Sequence, residues 1–253
     1  MCAERAQLLA AALIAVLALA LSVAAVAASA ASAPSVSIMV VGAGGTILAG
    51  PARVSAAQED VRVAHRSCAV ASATPLAALL ALRHAGGPGL SLRDYARCGA
   101  SPRSSAELFV TALAGERNRG QDGWEYKVGE VAGSTGAADP SGPLGNGRRI
   151  RSGEEVLWFW CNAVSGGCQR TLALAAAGSV APGGALAVTV TGYENEGHGA
   201  PVAGAIVTLG SDFASTDARG HATLLAPSAP GHYELGATRP GLVPAFSQAI
   251  AVG

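Results

Sequence analysis

Residues Glu155–Cys161, EVLWFWC, are apolar on both faces of an extended chain. Val156, Trp158 and Trp160 point one way, and Leu157, Phe159 and Cys161 the other. Side chains alternate across a strand, so a strand with two apolar faces belongs inside a sheet that is covered on both sides. The stretch holds two of the three Trp in a chain that is only 4% aromatic. Any fold for these 253 residues must therefore place something on each side of this strand.

The start of the chain bounds its environment. Leu8 to Ala33 carries no charge and ends in the small-residue patterns Ala28-Ser29-Ala30 and Ala31-Ser32-Ala33. This predicts a secretory signal peptide over residues 1–30, with Pro34 disfavouring the later cut. An uncleaved N-terminal anchor is the alternative, since the apolar run is long enough to span a bilayer. No second apolar stretch of that length follows, so no stable membrane insertion is expected after cleavage. The expected location is secreted, extracellular or in the cell envelope.

Beyond the leader, four Cys remain, at 68, 98, 161 and 168, an even number that suits disulfides in an exported chain. Three connectivities are open. Cys161 with Cys168 and Cys68 with Cys98 is the expected one, because NAVSGG between the first two reads as a turn. In the chain-entropy model the two loops contribute about 2.5 and about 3.6 kcal/mol. Zinc is the rival, but neither Cys pair has zinc-ligand spacing. The 17 basic and 17 acidic residues balance, with no basic run, so nucleic acid is not an expected partner.

Along the chain, SVSIMVV, GAGG and TILAGPARVSA read as strand, turn and strand. Gly42-x-Gly44 after a strand imitates a dinucleotide-binding loop, but Ile47 stands where the third Gly is needed and Pro51 interrupts a following helix. Thr74-Pro75-LAALLALRHAGG predicts a helix with Thr74 as N-cap, Pro75 at its first position and Gly86 just past its end. Leu76, Leu79, Leu80 and Leu82 form its buried face. Ala106 to Ala114 predicts a strand. In GWEYKVGEV, Trp124, Tyr126 and Val128 alternate with Glu125 and Lys127, which predicts a half-buried strand with the two charges on its wet face. The Gly-rich loop from Gly133 to Gly153 is long enough to be functional or mobile. Thr171 to Ala175 predicts a strand, 176–184 a linker, and the short alternating strands from Ala185 onward a β-sandwich.

These residues also resemble known families. DGWEYKVGE, the loop, and Ser152-Gly153-Glu154-Glu155-Val156-LWFWC are similar to the C-terminal domain of transcobalamin and intrinsic factor and its secreted bacterial relatives, although Gly129-Glu130 replaces the usual Asn-Gly turn. Over residues 35–175 the resemblance implies an α+β, β-grasp-like domain, which in the vitamin carriers covers one face of cobalamin. Pro201-Val202-Ala203-Gly204-Ala205-x-Val207, Thr216-Asp217-Ala218-x-Gly220 and Pro230-Gly231-x-Tyr233 resemble carboxypeptidase regulatory-like and immunoglobulin-like repeats of bacterial surface proteins. For residues 185–253 that resemblance implies an all-β immunoglobulin-like sandwich.

No nucleophile-and-base motif or zinc motif is present, and the sequence predicts no enzyme and no cofactor. His198, His221 and His232 would need to meet in space to hold a metal, and Glu194, Asn195 and Glu196 near His198 lack the spacing of a calcium loop. The expected function is a secreted, non-enzymatic binding or display protein, with a purely structural or adhesive envelope protein as the alternative and corrinoid binding as a further one. The partner is an unknown small molecule or an envelope component. A ligand site would involve Trp124, Tyr126, Trp158 and the loop from Asp139 to Gly147. Exposure decides: open rings favour a ligand, buried rings a scaffold.

Overall fold

The computed structural model describes residues 32–163 and 167–253. The expected signal peptide over 1–30 lies outside them.

The N-terminal half contains β1 (Ser35–Val41), β2 (Ile47–Ser55), β3 (Glu59–Val63), β4 (Arg66–Val70), α1 (Pro75–His84), β5 (Leu90–Asp94), a 3-10 turn (Pro102–Ser105), β6 (Leu108–Leu113), β7 (Glu116–Arg117), β8 (Gly123–Val128), β9 (Val131–Ala132) and β10 (Glu155–Cys161). The C-terminal half contains β11 (Thr171–Ala176), β12 (Ser179–Val180), β13 (Ala185–Tyr193), β14 (Gly199–Pro201), β15 (Ile206–Leu209), β16 (Asp212–Ser215), β17 (His221–Leu225), β18 (Gly231–Thr238) and β19 (Gln248–Val252). Among the described residues, strands make up 47% against one α-helix. The fold is therefore β-rich rather than the balanced mixture that α+β implies.

The main sheet has the order β2-β1-β10-β8-β9, with β10 in the middle as its two apolar faces require. It pairs parallel with β1 and antiparallel with β8, setting Trp158 beside Tyr126 and Trp160 beside Trp124. One face packs with Val36, Ile38, Val40, Trp124, Tyr126, Trp158 and Trp160 against α1 and the smaller sheets β3-β4 and β5-β6-β7. The helix forms as its caps dictate: Thr74 Oγ1 accepts the Ala77 N–H at 3.3 Å, Pro75 opens the first turn, and Leu76, Leu79, Leu80 and Leu82 are buried.

The other face of β10 is covered by the C-terminal half. Met39, Val41, Leu157, Phe159 and Cys161 form a second cluster with Val243, and Phe246 packs against it. Within the C-terminal half, backbone bonds hold Val243 beside the start of β11, with Leu172 N–H donating to Val243 O at 2.9 Å and Val243 N–H to Arg170 O at 3.0 Å. The two halves thus share an apolar junction, and the aromatic strand lies between them.

The C-terminal half is two sheets around one core. In the first, β11, β14 and β17 all pair with β13; the second has the order β12-β19-β18-β15-β16. Two segments depart from expectation. Thr171–Ala176, expected to close the first domain, pairs along its whole length with β13. Its Leu172 and Leu174 alternate into the sandwich core, and that burial decides where it goes. Residues 176–184, expected as a linker, contribute β12, which pairs with β19.

Both expected disulfides are present. Cys68 joins Cys98 with Cα atoms 5.2 Å apart, and Cys161 joins Cys168 at 4.9 Å. The first fastens β4 to the loop after β5, and the second clips the end of β10 to the segment entering β11.

Candidate functional site

The three aromatic side chains singled out from the sequence are all interior. Trp124 is 4% exposed, Tyr126 5% and Trp158 2%. Trp124 meets Trp160 edge-on with centroids 5.8 Å apart, and Tyr126 lies tilted against Trp158 at 5.5 Å. Their polar atoms are turned to backbone, as buried rings require. Trp124 Nε1 donates to Glu116 O at 3.0 Å, and the Tyr126 hydroxyl donates to Thr135 O at 2.9 Å. Burial pushes the Tyr126 phenol above its ordinary value. The Trp158 indole N–H finds no partner among the described residues. No ring face is left on which a flat ligand could stack.

The loop between the aromatic strands, expected as a flexible polar wall, is a stitched cover. Asp139 accepts from the Ser141 backbone at 2.8 Å and its hydroxyl at 2.7 Å, Thr135 Oγ1 donates to Gly142 O at 2.8 Å, and Ser134 N–H donates to Pro143 O at 2.9 Å. Ala138 and Ile150 are buried beneath it, and Ala137 O accepts from Leu76 N at the start of α1. Apolar anchors and Asx-type turns order this segment despite its composition.

Lys127 overturns a second expectation. Read as part of a wet face, it is fully buried. Its ammonium donates to Thr171 Oγ1 at 3.1 Å, Tyr193 O at 3.0 Å and Glu194 O at 2.8 Å, all in the C-terminal half. At Lys127 the side of β8 assigned to water faces β11 and β13 instead, while Glu125 on the same side is exposed as expected. Burial lowers its pKa to about 8, while Glu196, Glu130 and Glu194 oppose that shift. The charge is held as a polar bolt between the halves, with all three hydrogens used.

Clefts among the described residues include three of similar size. One of about 330 Å³ lies between the turn at Ala43–Gly45, Asn162, Gln169 and the segment from Thr238 to Pro244. A second, of about 340 Å³, is lined by Gly115, Glu116, Arg117, Arg119 and Trp160, with the Arg119 guanidinium 5.8 Å from the Trp160 centroid. The Glu116 carboxylate there accepts the Ala43 N–H at 2.9 Å. The third, of about 300 Å³, lies over Val128, Glu130, Leu144 and the Arg148–Glu154 ion pair. None of the three is lined by Ser, Cys or His, and their polar contacts come from Asn, Gln, Thr, Arg and Glu side chains.

Among the described residues, the group of metal-donor side chains that comes within reach of one ion is Glu194, Glu196 and His198, with donor atoms within 4.8 Å of one another. His221 and His232 do not join it. All three members are exposed, on the turn that also receives the Lys127 ammonium.

Three exposed aromatic side chains escaped the sequence reading: Tyr95, 58% exposed, Phe109, 46% exposed, and Phe213, 71% exposed in the sandwich; the first two lie together. The available signals were RDYAR, an aromatic between arginines, and the alternation of β6, which turns Phe109 out between buried Leu108 and Val110. No family model, curated protein or solved structure matches the chain.

Proposed function

We propose that this chain is an exported, non-enzymatic binding or display protein, in which a β-grasp-like N-terminal domain of the transcobalamin C-terminal kind is mounted on an immunoglobulin-like sandwich. The observation that carries this reading is the way the sandwich covers the second face of β10 and takes up the Lys127 ammonium. A sandwich joined so closely acts as a rigid support that presents the N-terminal domain, not as a tethered spacer. The uncharged run from Leu8 to Ala33 and the two disulfides support export. No helix among the described residues is long and apolar enough to cross a membrane. With Trp124, Tyr126 and Trp158 in the core, the contact surface for an envelope component lies on the outside of the protein.

Fractionation of cells expressing the full chain tests the reading. The protein is expected in the medium or envelope, shortened by its leader and with both disulfides oxidised; a reduced, full-length chain in the cytosol would refute it. The resemblance to the vitamin carriers supports corrinoid binding as a second reading. Calorimetric titration of the mature protein with a corrinoid decides it: the buried rings lead us to expect no heat of binding, and saturable binding would restore it.

A further inference from the structure

We propose that the outward face of β5 and β6, around Arg93, Tyr95 and Phe109, binds a carboxylate-bearing polysaccharide. The inference rests on the reading of the chain as an exported binding protein and names the ligand class and the face.

All three Trp and Tyr126 lie in the core, and of the exposed aromatics Tyr95, Phe109 and Phe213, the first two form a pair. Their rings meet edge-on at 6.3 Å, and the Arg93 guanidinium, on the residue paired with Phe109, lies 4.7 Å over the Tyr95 ring. A guanidinium stacked in this way keeps its in-plane N–H groups free for an anion, and its fork matches the two oxygens of a carboxylate.

The charge around these rings is uneven, although the chain as a whole is neutral. Arg62, Arg66, Arg97 and Arg103 are exposed on the neighbouring β3-β4 hairpin and on the loop and 3-10 turn after β5. Among the described residues none of these arginines makes an ion pair. Four carboxylates share this corner with the five arginines: Asp94 accepts from the backbone of Ala96 at 3.1 Å and Cys98 at 2.9 Å, Glu59 lies 3.1 Å from His84, and Asp60 and Glu107 are exposed, which leaves the corner positive by one charge.

The Cys68–Cys98 disulfide and the bond from Ala69 N–H to Gly99 O at 2.9 Å tie the hairpin to the loop, so the face is ordered before a ligand arrives. Rigid aromatic rings suit the C–H faces of pyranose sugars, and spaced arginines suit a polymer whose charge repeats. Nucleobases fit less well, because base stacking needs open ring faces in succession. Here the rings stand 63° apart, and one face of Tyr95 is taken by Arg93.

The test is binding of the mature protein to polygalacturonate, with neutral dextran as control and single-stranded DNA as competitor. Polygalacturonate is expected to bind and dextran not, with affinity falling about tenfold as salt rises from about 50 to about 200 mM. Tyr95→Ala with Phe109→Ala is expected to weaken binding about tenfold, and Arg62→Gln with Arg93→Gln to flatten the salt dependence. These side chains are exposed, so wild-type denaturation midpoints are expected. Phe213→Ala, in the far sheet of the sandwich, is expected to bind as wild type. Wild-type affinity in both double variants, equal binding of dextran, or tighter binding of the DNA would each overturn the proposal. Failure to bind polygalacturonate by a protein that still sediments with isolated envelopes would sink this inference alone, whereas loss of both would also sink the broader reading.

Discussion

Replacing Lys127 by Met tests whether the two halves are held together by a buried charge. Met keeps the length of the side chain and removes the ammonium, leaving Thr171 Oγ1, Tyr193 O and Glu194 O without their donor. Unpaired buried acceptors cost about 1 to 3 kcal/mol, partly offset by no longer having to desolvate a charge, so a net loss of about 1 to 2 kcal/mol is expected at pH 7. The pH dependence is the sharper readout. The folded pKa is about 8, below the ordinary 10.5, so between these values the unfolded chain holds a proton that the native protein has released. Stability from this group therefore rises with pH across that window, by about 2 kcal/mol between pH 7 and pH 9.5. Urea unfolding of both proteins at the two pH values isolates it, because Tyr126 and the other titrating groups are common to both. The difference between wild type and Lys127→Met is expected to widen by about 2 kcal/mol at the higher pH. A difference that stays constant would mean that Lys127 is solvated, and the bolt between the halves would be refuted.

Other substitutions probe the packing. Removing the Cys161–Cys168 and Cys68–Cys98 pairs as double Ser variants is expected to cost about 2.5 and about 3.6 kcal/mol in urea unfolding, the longer loop losing more. Trp124→Phe is expected to cost about 1 kcal/mol more than Trp158→Phe, because it strips the donor from Glu116 O while the Trp158 indole N–H has no partner to lose. Thermal unfolding of both variants measures this, and equal losses would contradict the hydrogen-bond assignment. A Cβ on Gly133 would lie 2.0 Å from Cζ of Tyr126, so Gly133→Ala is expected to lower stability by about 1 to 3 kcal/mol, and an unchanged thermal midpoint would count against that packing.

Much of the local structure was legible because it follows from short-range rules. Thr74 and Pro75 announce the helix, the two-sided EVLWFWC announces a central strand, and the turn-like sequence NAVSGG between Cys161 and Cys168 announces their pairing. What escaped depends on contacts distant in sequence. Lys127 reads as solvated until Thr171, Tyr193 and Glu194 are placed over it, 44 to 67 residues away. Thr171–Ala176 follows directly on the N-terminal half in sequence, yet joins the sandwich because β13 offers a full-length partner. The rings at Trp124, Tyr126 and Trp158 carry two readings in sequence, core or ligand site. Burial beneath α1 and the Gly133–Gly153 loop separates them, and no periodicity contains that information.

Sedimentation of the mature, oxidised protein with isolated bacterial cell envelopes tests the central claim most directly. A saturable isotherm is expected, weakened by salt and by Tyr95→Ala with Phe109→Ala, with the Trp emission unchanged on binding because the three indoles stay in the core. Absence of binding at low salt, together with saturable binding of a corrinoid that alters the Trp emission, would contradict it.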